Sequence, residues 1–237
     1  MYYKKLDIKD GDPAGESNLE LLRLNYKWAE LAARIDVLEK RGILESCETG
    51  LPTKNGQPQP LLTFSFMDYF ETHDFSEYQF IEFGSGNSTL YFAKFCKKVC
   101  SFEQNFNWYN QLKTKLPNNV EYTYLNDYHP LPKVRHDPLN VTLVDFAGIR
   151  FRAVKQLIDE GETDLLILDN SDVSPNSTKL LLESGYKEIT FWGGKLTEHY
   201  ESCTSLFFKN VDVLPKRNFR KQLLTTRNVI GNLYDKP

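Results

Sequence analysis

Short apolar runs alternate with amphipathic stretches through the middle of the chain. Each run has the length of a buried strand, and apolar residues in the stretches between them recur at helical spacing. The pattern predicts strands at 79–84, 98–103, 120–125, 141–146 and 164–169, and helices at 88–97, 106–116, 150–160 and 175–184. Such alternation is typical of parallel strands joined by right-handed crossovers, with a ligand crevice at the carboxyl ends of the strands.

Two further β-rich stretches follow at 186–192 and 203–209, and no helical pattern separates them. Parallel neighbours would need a crossover connection, so we predict that these two strands are antiparallel. The predicted fold class is therefore α/β. We expect a Rossmann-like, doubly wound, mostly parallel sheet of seven strands that ends in a C-terminal antiparallel hairpin, with helices on both faces.

The N-terminal part of the chain has a different pattern. Residues 18–41 predict an amphipathic helix, which can pack on the domain or join two subunits in a homodimer. Residues 47–60 are rich in Gly, Pro and polar side chains and predict a loop, whereas 61–70 predict an aromatic helix. We expect a division of the chain into an N-terminal helical segment, a core domain and a C-terminal tail, at 1–60, 61–211 and 212–237.

Composition limits the classes of partner. A chain of 237 residues can bury one substantial core, and its net charge of −3, with both signs interspersed, indicates no obligatory nucleic-acid partner. No apolar run reaches membrane-spanning length, and no apolar block follows the basic start, so we expect a cytoplasmic protein without membrane contact. The four cysteines lack metal-finger spacing and are predicted to be reduced.

The stretch 80–89 is where chemistry is concentrated. An apolar strand ends in an acid, Glu82, and two glycines follow before the next helix begins. We expect Gly84 and Gly86 to adopt backbone angles that a Cβ forbids and to let a ligand approach the main chain. Ser88 or Thr89 can cap the helix. Because the carboxylate of Glu82 would repel a phosphate, it favours a cationic or hydroxylated ligand.

The segment 82–86 resembles motif I of class I S-adenosylmethionine-dependent methyltransferases. Its continuation, Asn87-Ser88-Thr89, resembles a subgroup of small bacterial and viral members, and Ser88 replaces the usual third glycine. The resemblance covers roughly residues 60–209. It implies S-adenosylmethionine as the cofactor, with Glu103 holding the ribose and Asp127 near the adenine. The implied cofactor-binding residues are Glu82, Gly84, Ser85, Gly86, Ser88, Thr89, Glu103, Asp127 and Asp145.

The same resemblance implies a methyl transfer to an acceptor. The segment before the first core strand would be a lid over the substrate, and its aromatic content favours a small-molecule acceptor. Two other interpretations stay open. A nicotinamide-dinucleotide oxidoreductase also needs a glycine-rich turn and an acid about 20 residues later, a spacing that Glu103 meets, but Thr89 stands where its third glycine belongs. The other alternative is a cofactor-binding scaffold that has lost catalysis.

Acids also end the fourth and fifth predicted core strands, at Asp145 and at Asp169-Asn170. Asp145 could orient the cofactor's amino group or the acceptor. With Asn170, the two carboxylates also resemble the magnesium site of catechol O-methyltransferase. No lysine stands beside Asp145, however, so we expect no metal. Among the loop histidines His129, His136 and His199, we select His199 as the candidate base, because its loop would overhang the site.

Overall fold

The computed structural model describes residues 13–126, 130–133, 137–146, 148–161 and 163–218, with side chains from residue 24 onward. The chain divides into two compact units. Of the described residues, one unit contains those up to Arg41, and the other contains those from Gly42 onward. The first unit contains helix α1, Pro13–Arg41, which includes the predicted helix at 18–41. No helix in the described part of the chain is long and apolar enough to cross a membrane.

The second unit is built on a seven-stranded sheet, which confirms the predicted fold class. Its strands are β3 Gln79–Phe83, β4 Lys98–Glu103, β5 Val120–Tyr124, β6 Asn140–Val144, β7 Leu165–Asp169, β8 Lys187–Gly193 and β9 Ser202–Phe208. The order across the sheet is β5-β4-β3-β6-β7-β9-β8, with β3 to β7 parallel and β9 antiparallel to both of its neighbours.

Helices cover both faces of this sheet. Successive strand residues point to opposite faces, so each face has its own core. Phe80 packs in a core with side chains of the helices before and after β3, whereas Ile81 packs in a second core with side chains of the two helices around β7. The helices of this unit are α2 Ile43–Thr49, α3 Phe64–Thr72, α4 Asn87–Phe92, α5 Phe106–Lys113, α6 Arg150–Glu160 and α7 Pro175–Glu183.

The region 47–60 differs from the predicted loop. It contains the end of α2 and a small hairpin of β1, Thr53–Lys54, and β2, Gln57–Pro58. Asn55 and Gly56 form the turn with positive φ angles of 52° and 67°, and their backbone N–H groups donate to the Glu45 carboxylate at 2.6 and 2.8 Å. The carboxylate thus holds the hairpin turn against α2.

Candidate functional site

A cavity of about 460 Å³ opens at the carboxyl edge of the sheet, beside the ends of β3, β4 and β6. Polar loops after these strands form one wall. Apolar residues from the segment that precedes the sheet form the opposite wall. The lining residues are Leu51, Pro52, Leu61, Leu62, Gly84, Ser85, Gly86, Asn87, Ser88, Glu103, Gln104, Asn105, Trp108, Asp145 and Phe146.

The two glycines of the turn have different roles. Gly84 has a φ of +96°, and a Cβ there would lie 2.8 Å from the backbone oxygen of Asp145. Gly86 has a φ of 176°, which is extended backbone open to any residue, so the expectation that its angles require glycine is wrong. A Cβ at Gly86 would make ordinary contact, at 3.9 Å, with Ser88 and Trp108, which also line the cavity. Gly84 therefore serves the fold, and Gly86 keeps the cavity open.

Glu82 lies beneath the turn and is fully buried. Thr89 and Ser101 donate hydroxyl hydrogen bonds to its Oε2 at 2.5 and 2.7 Å, and Oε1 has no partner among the described residues. Burial raises the pKa of Glu82 to about 7, although hydroxyl donors, first Ser88, oppose the shift. Neither Glu82 nor the buried Thr89 lines the cavity. Both sit behind the loop and support it.

Glu103 ends β4 and does line the cavity. One carboxylate oxygen accepts hydrogen bonds from the N–H and the hydroxyl of Ser85 at 3.1 and 2.7 Å, and the other accepts from the N–H of Asn105 at 2.6 Å. Tyr122 contacts the Ser85 hydroxyl at 3.0 Å. Through its hydrogen bonds to Ser85, Glu103 fixes the turn after β3 to the end of β4.

Trp108 and Gln104 also line the cavity. The indole Nε1 of Trp108 donates to the Ser85 carbonyl at 2.9 Å, which places the ring beside Gly86. The side-chain oxygen of Gln104 is buried and has no partner in the described part of the chain. A buried acceptor without a partner needs a donor that the described residues do not supply.

Asp145 follows β6 and forms an ion pair with Arg150 at 2.6 Å, while 34% of its side chain stays exposed at the cavity. Arg150 also donates to Asn170, whose amide donates to Ser202. Burial, and then the negative charge of Asp169, raise the pKa of Asp145, and Arg150 offsets only part of this. The site therefore holds a carboxylate of increased basicity in a fixed orientation.

The structure reveals a lysine that the sequence did not single out. Lys195 lies in the loop after β8, is 3% exposed, and forms an ion pair with Asp169 at 2.7 Å. The other carboxylate oxygen of Asp169 accepts from the Thr204 hydroxyl at 2.8 Å. No group of three or more His, Cys, Asp or Glu in the described chain is arranged to hold a metal ion. Arg150 and Lys195 form ion pairs with Asp145 and Asp169, the two carboxylates that a magnesium ion would need as ligands.

The remaining predicted residues fall outside this constellation. His199 is exposed and does not line the cavity, although its loop carries Lys195, so its role as a base stays a prediction. Asp127, His129 and His136 lie outside the described residues. The apolar wall contributed by Leu51, Pro52, Leu61 and Leu62 was not predicted by residue, although the segment was predicted to cover the substrate. The Asn55-Gly56 pair was the missed signal of its hairpin.

No family model and no curated protein sequence matches the chain. Solved structures with a similar fold include precorrin-6y C5,15-methyltransferase from Geobacter metallireducens GS-15, at 12% identity and a TM-score of 0.49 over 65% of this chain and 93% of that one. Another is magnesium protoporphyrin IX methyltransferase from Synechocystis PCC 6803 with bound SAH, at 11% identity and a TM-score of 0.41 over 55% and 73%. Likeness at this level defines neither activity nor substrate.

Alanine substitution should separate the two glycines. Gly84→Ala should lower the free energy of unfolding by about 1–3 kcal/mol, because the new Cβ meets backbone and the φ is positive. Gly86→Ala should stay within about 0.5 kcal/mol of the wild type, since its Cβ makes only ordinary van der Waals contacts. Urea denaturation measures both. Equal losses in the two variants would contradict the different roles.

The buried ion pair should be essential for stability. Lys195→Met should cost about 3–5 kcal/mol, because it leaves the carboxylate of Asp169 buried without its cation. Lys155→Met is the matched control. This substitution breaks the ion pair between Lys155 and Asp159, whose side chains are 55% and 58% exposed, and should cost less than about 1 kcal/mol. Similar unfolding midpoints for the two variants would show that the buried pair contributes little.

Proposed function

We propose that this chain is an S-adenosylmethionine-dependent methyltransferase. The observation that carries the proposal is the charge of the cavity at the glycine turn. Glu103 and Asp145 line it, and no Lys or Arg is among the described lining residues. A cationic ligand with hydroxyl groups suits such a cavity, whereas a pyrophosphate does not, because its negative charges would face two carboxylates. The sulfonium cofactor carries a positive charge, an amino group and a ribose.

The lining residues fit this cofactor in size and in hydrogen-bonding chemistry. A volume of about 460 Å³ is in the range of small-ligand sites. Glu103 has lone pairs left after its three hydrogen bonds and can accept from ribose hydroxyls. Gln104, whose side-chain oxygen has no partner among the described residues, also lines the cavity, and a Cβ at Gly86 would contact Trp108, another lining residue, at 3.9 Å. These features support a nucleoside lying along the turn.

The cofactor supplies an electrophilic methyl group, so the protein needs to position an acceptor and exclude water. We assign Asp145 the role of orienting the acceptor or the cofactor's amino group. Its position at the cavity, its ion pair with Arg150 and its raised pKa support this role. A carboxylate of higher pKa is also the better proton acceptor near neutral pH. His199 remains the next base to test if Asp145 proves dispensable.

A small molecule is the acceptor class that we propose. The apolar wall of Leu51, Pro52, Leu61 and Leu62 narrows the cavity, and Asn87 donates to the backbone oxygen of Pro52 at 2.9 Å, which joins the turn to that wall. This bond supports a cover over the ligand. The alternative of a catalytically inactive scaffold would share the cavity. Turnover of labelled S-adenosylmethionine against fractionated metabolites, with protein and RNA fractions in parallel, separates the alternatives.

Calorimetric titration tests the cofactor. S-adenosylhomocysteine should bind, and NAD should not. Glu103→Ala should weaken binding by about 1–3 kcal/mol, because charge-assisted hydrogen bonds to the ribose are lost. Gly86→Ala should weaken it as well, by filling ligand space without destabilising the fold.

Glu121→Ala is the control for this titration. Glu121 is a β5 carboxylate with 68% side-chain exposure outside the cavity, so its removal should leave the affinity unchanged. Circular dichroism confirms that each variant is folded. Stronger binding of NAD than of S-adenosylhomocysteine would overturn the proposed function.

Turnover on any acceptor found should be insensitive to chelators. Lys195 and Arg150 already form ion pairs with Asp169 and Asp145, so a magnesium ion would have to displace two hydrogen-bonded cations. The measurement is initial rate with excess EDTA, followed by added Mg²⁺. Loss of activity in EDTA and its recovery with Mg²⁺ would mean that the carboxylates exchange their protein cations for the metal.

A further inference from the structure

Helix α1 carries a row of large apolar side chains that the described structure leaves exposed. Leu24, Trp28, Leu31, Ile35 and Leu38 are 41–65% exposed. Single exposed apolar residues are ordinary on a protein surface, but a continuous row along a helix indicates an interaction surface. We call these five residues the α1 seam.

The spacing of the α1 seam is that of a coiled coil. Its members follow one another at intervals of four, three, four and three residues, and Leu21 continues the row three residues earlier in the sequence. A heptad frame places Trp28 and Ile35 at position a, and it places leucine at every d position, which are 24, 31 and 38. Leu21 occupies the remaining a position. In parallel coiled coils, isoleucine at a with leucine at d, the combination at Ile35 and Leu38, favours two strands.

Charges beside the α1 seam select an orientation. The g positions are Lys27, Arg34 and Arg41, and the only charged e position is Glu39. In a parallel pair, each g residue faces the e residue five positions later on the other helix, so Arg34 would face Glu39 of the partner subunit. In an antiparallel pair, g positions face one another, and cations would oppose cations. The charge pattern is complementary only in the parallel arrangement.

We propose that α1 pairs with α1 of a second copy of this chain in a parallel, in-register, two-stranded coiled coil. The heptad frame spans three repeats, from Leu21 to Arg41, within a helix of 29 residues. The occupant of the α1 seam is thus an identical seam, with the Arg34–Glu39 contacts formed twice by symmetry. This inference is independent of the methyltransferase proposal.

Sedimentation equilibrium of the full chain tests the pairing. The wild type should have twice the mass of the chain, and Leu31→Asp should weaken dimerisation at least tenfold by placing a charge at a central d position. Ala29→Asp is the matched control, because Ala29 is exposed at position b of the same helix and lies off the seam. It should remain dimeric. A monomeric wild type, or equal effects of the two substitutions, would overturn the proposal, and circular dichroism confirms that both variants are folded.

Cysteine cross-linking tests the orientation. In a Cys47→Ser background, which removes the exposed native thiol, Leu38→Cys should form an intermolecular disulfide with its own copy on mild oxidation. Leu24→Cys should do the same. If neither variant cross-links alone but a mixture of the two does, the helices are antiparallel and the proposed arrangement is wrong.

Discussion

The close approach between the main chains after β3 and after β6 is the constraint on which the site depends. Gly84 donates its N–H to the Phe102 carbonyl, and the N–H of Asp145 donates to the Phe83 carbonyl. These two bonds join the carboxyl ends of β3, β4 and β6 at the point where the chain leaves the sheet. No side chain fits between Gly84 and the backbone of Asp145. This contact sets the floor of the cavity and delivers Asp145 and the turn to the same place.

Four acids gather at this edge, and each is stabilised by a different device. Glu82 has hydroxyl donors and a raised pKa, whereas Glu103 has backbone N–H groups. Asp145 pairs with an arginine at the cavity, and Asp169 pairs with the buried Lys195. Concentrated negative charge would otherwise destabilise the sheet edge. These partners stabilise the edge of the sheet. Glu103 and Asp145 line the cavity and can still accept hydrogen bonds there, so the edge can also bind a cation.

Sequence patterns predicted the sheet because strand and helix periodicities are local properties. Glu103 was expected from the family resemblance and Asp145 from its place at a strand end, and both line the cavity at the edge where the parallel strands end. Lys195 could not be predicted in this way, because its partner Asp169 is distant in sequence and only the antiparallel placement of β9 brings the two together. The backbone angle expected of Gly86 was wrong for a related reason. A glycine in a motif does not reveal whether angle or space requires it, and only the structure distinguishes Gly84 from Gly86.

Under the proposed function, the two parts of the site have different requirements. A sulfonium methyl group is reactive before it binds, so the protein would need no nucleophile of its own and would leave no catalytic signature in the sequence. The cofactor part would depend on main-chain geometry and charge, which short motifs encode. The acceptor part would be shaped by the apolar wall around Leu51 and Leu62, whose side chains contribute shape and carry no reactive group.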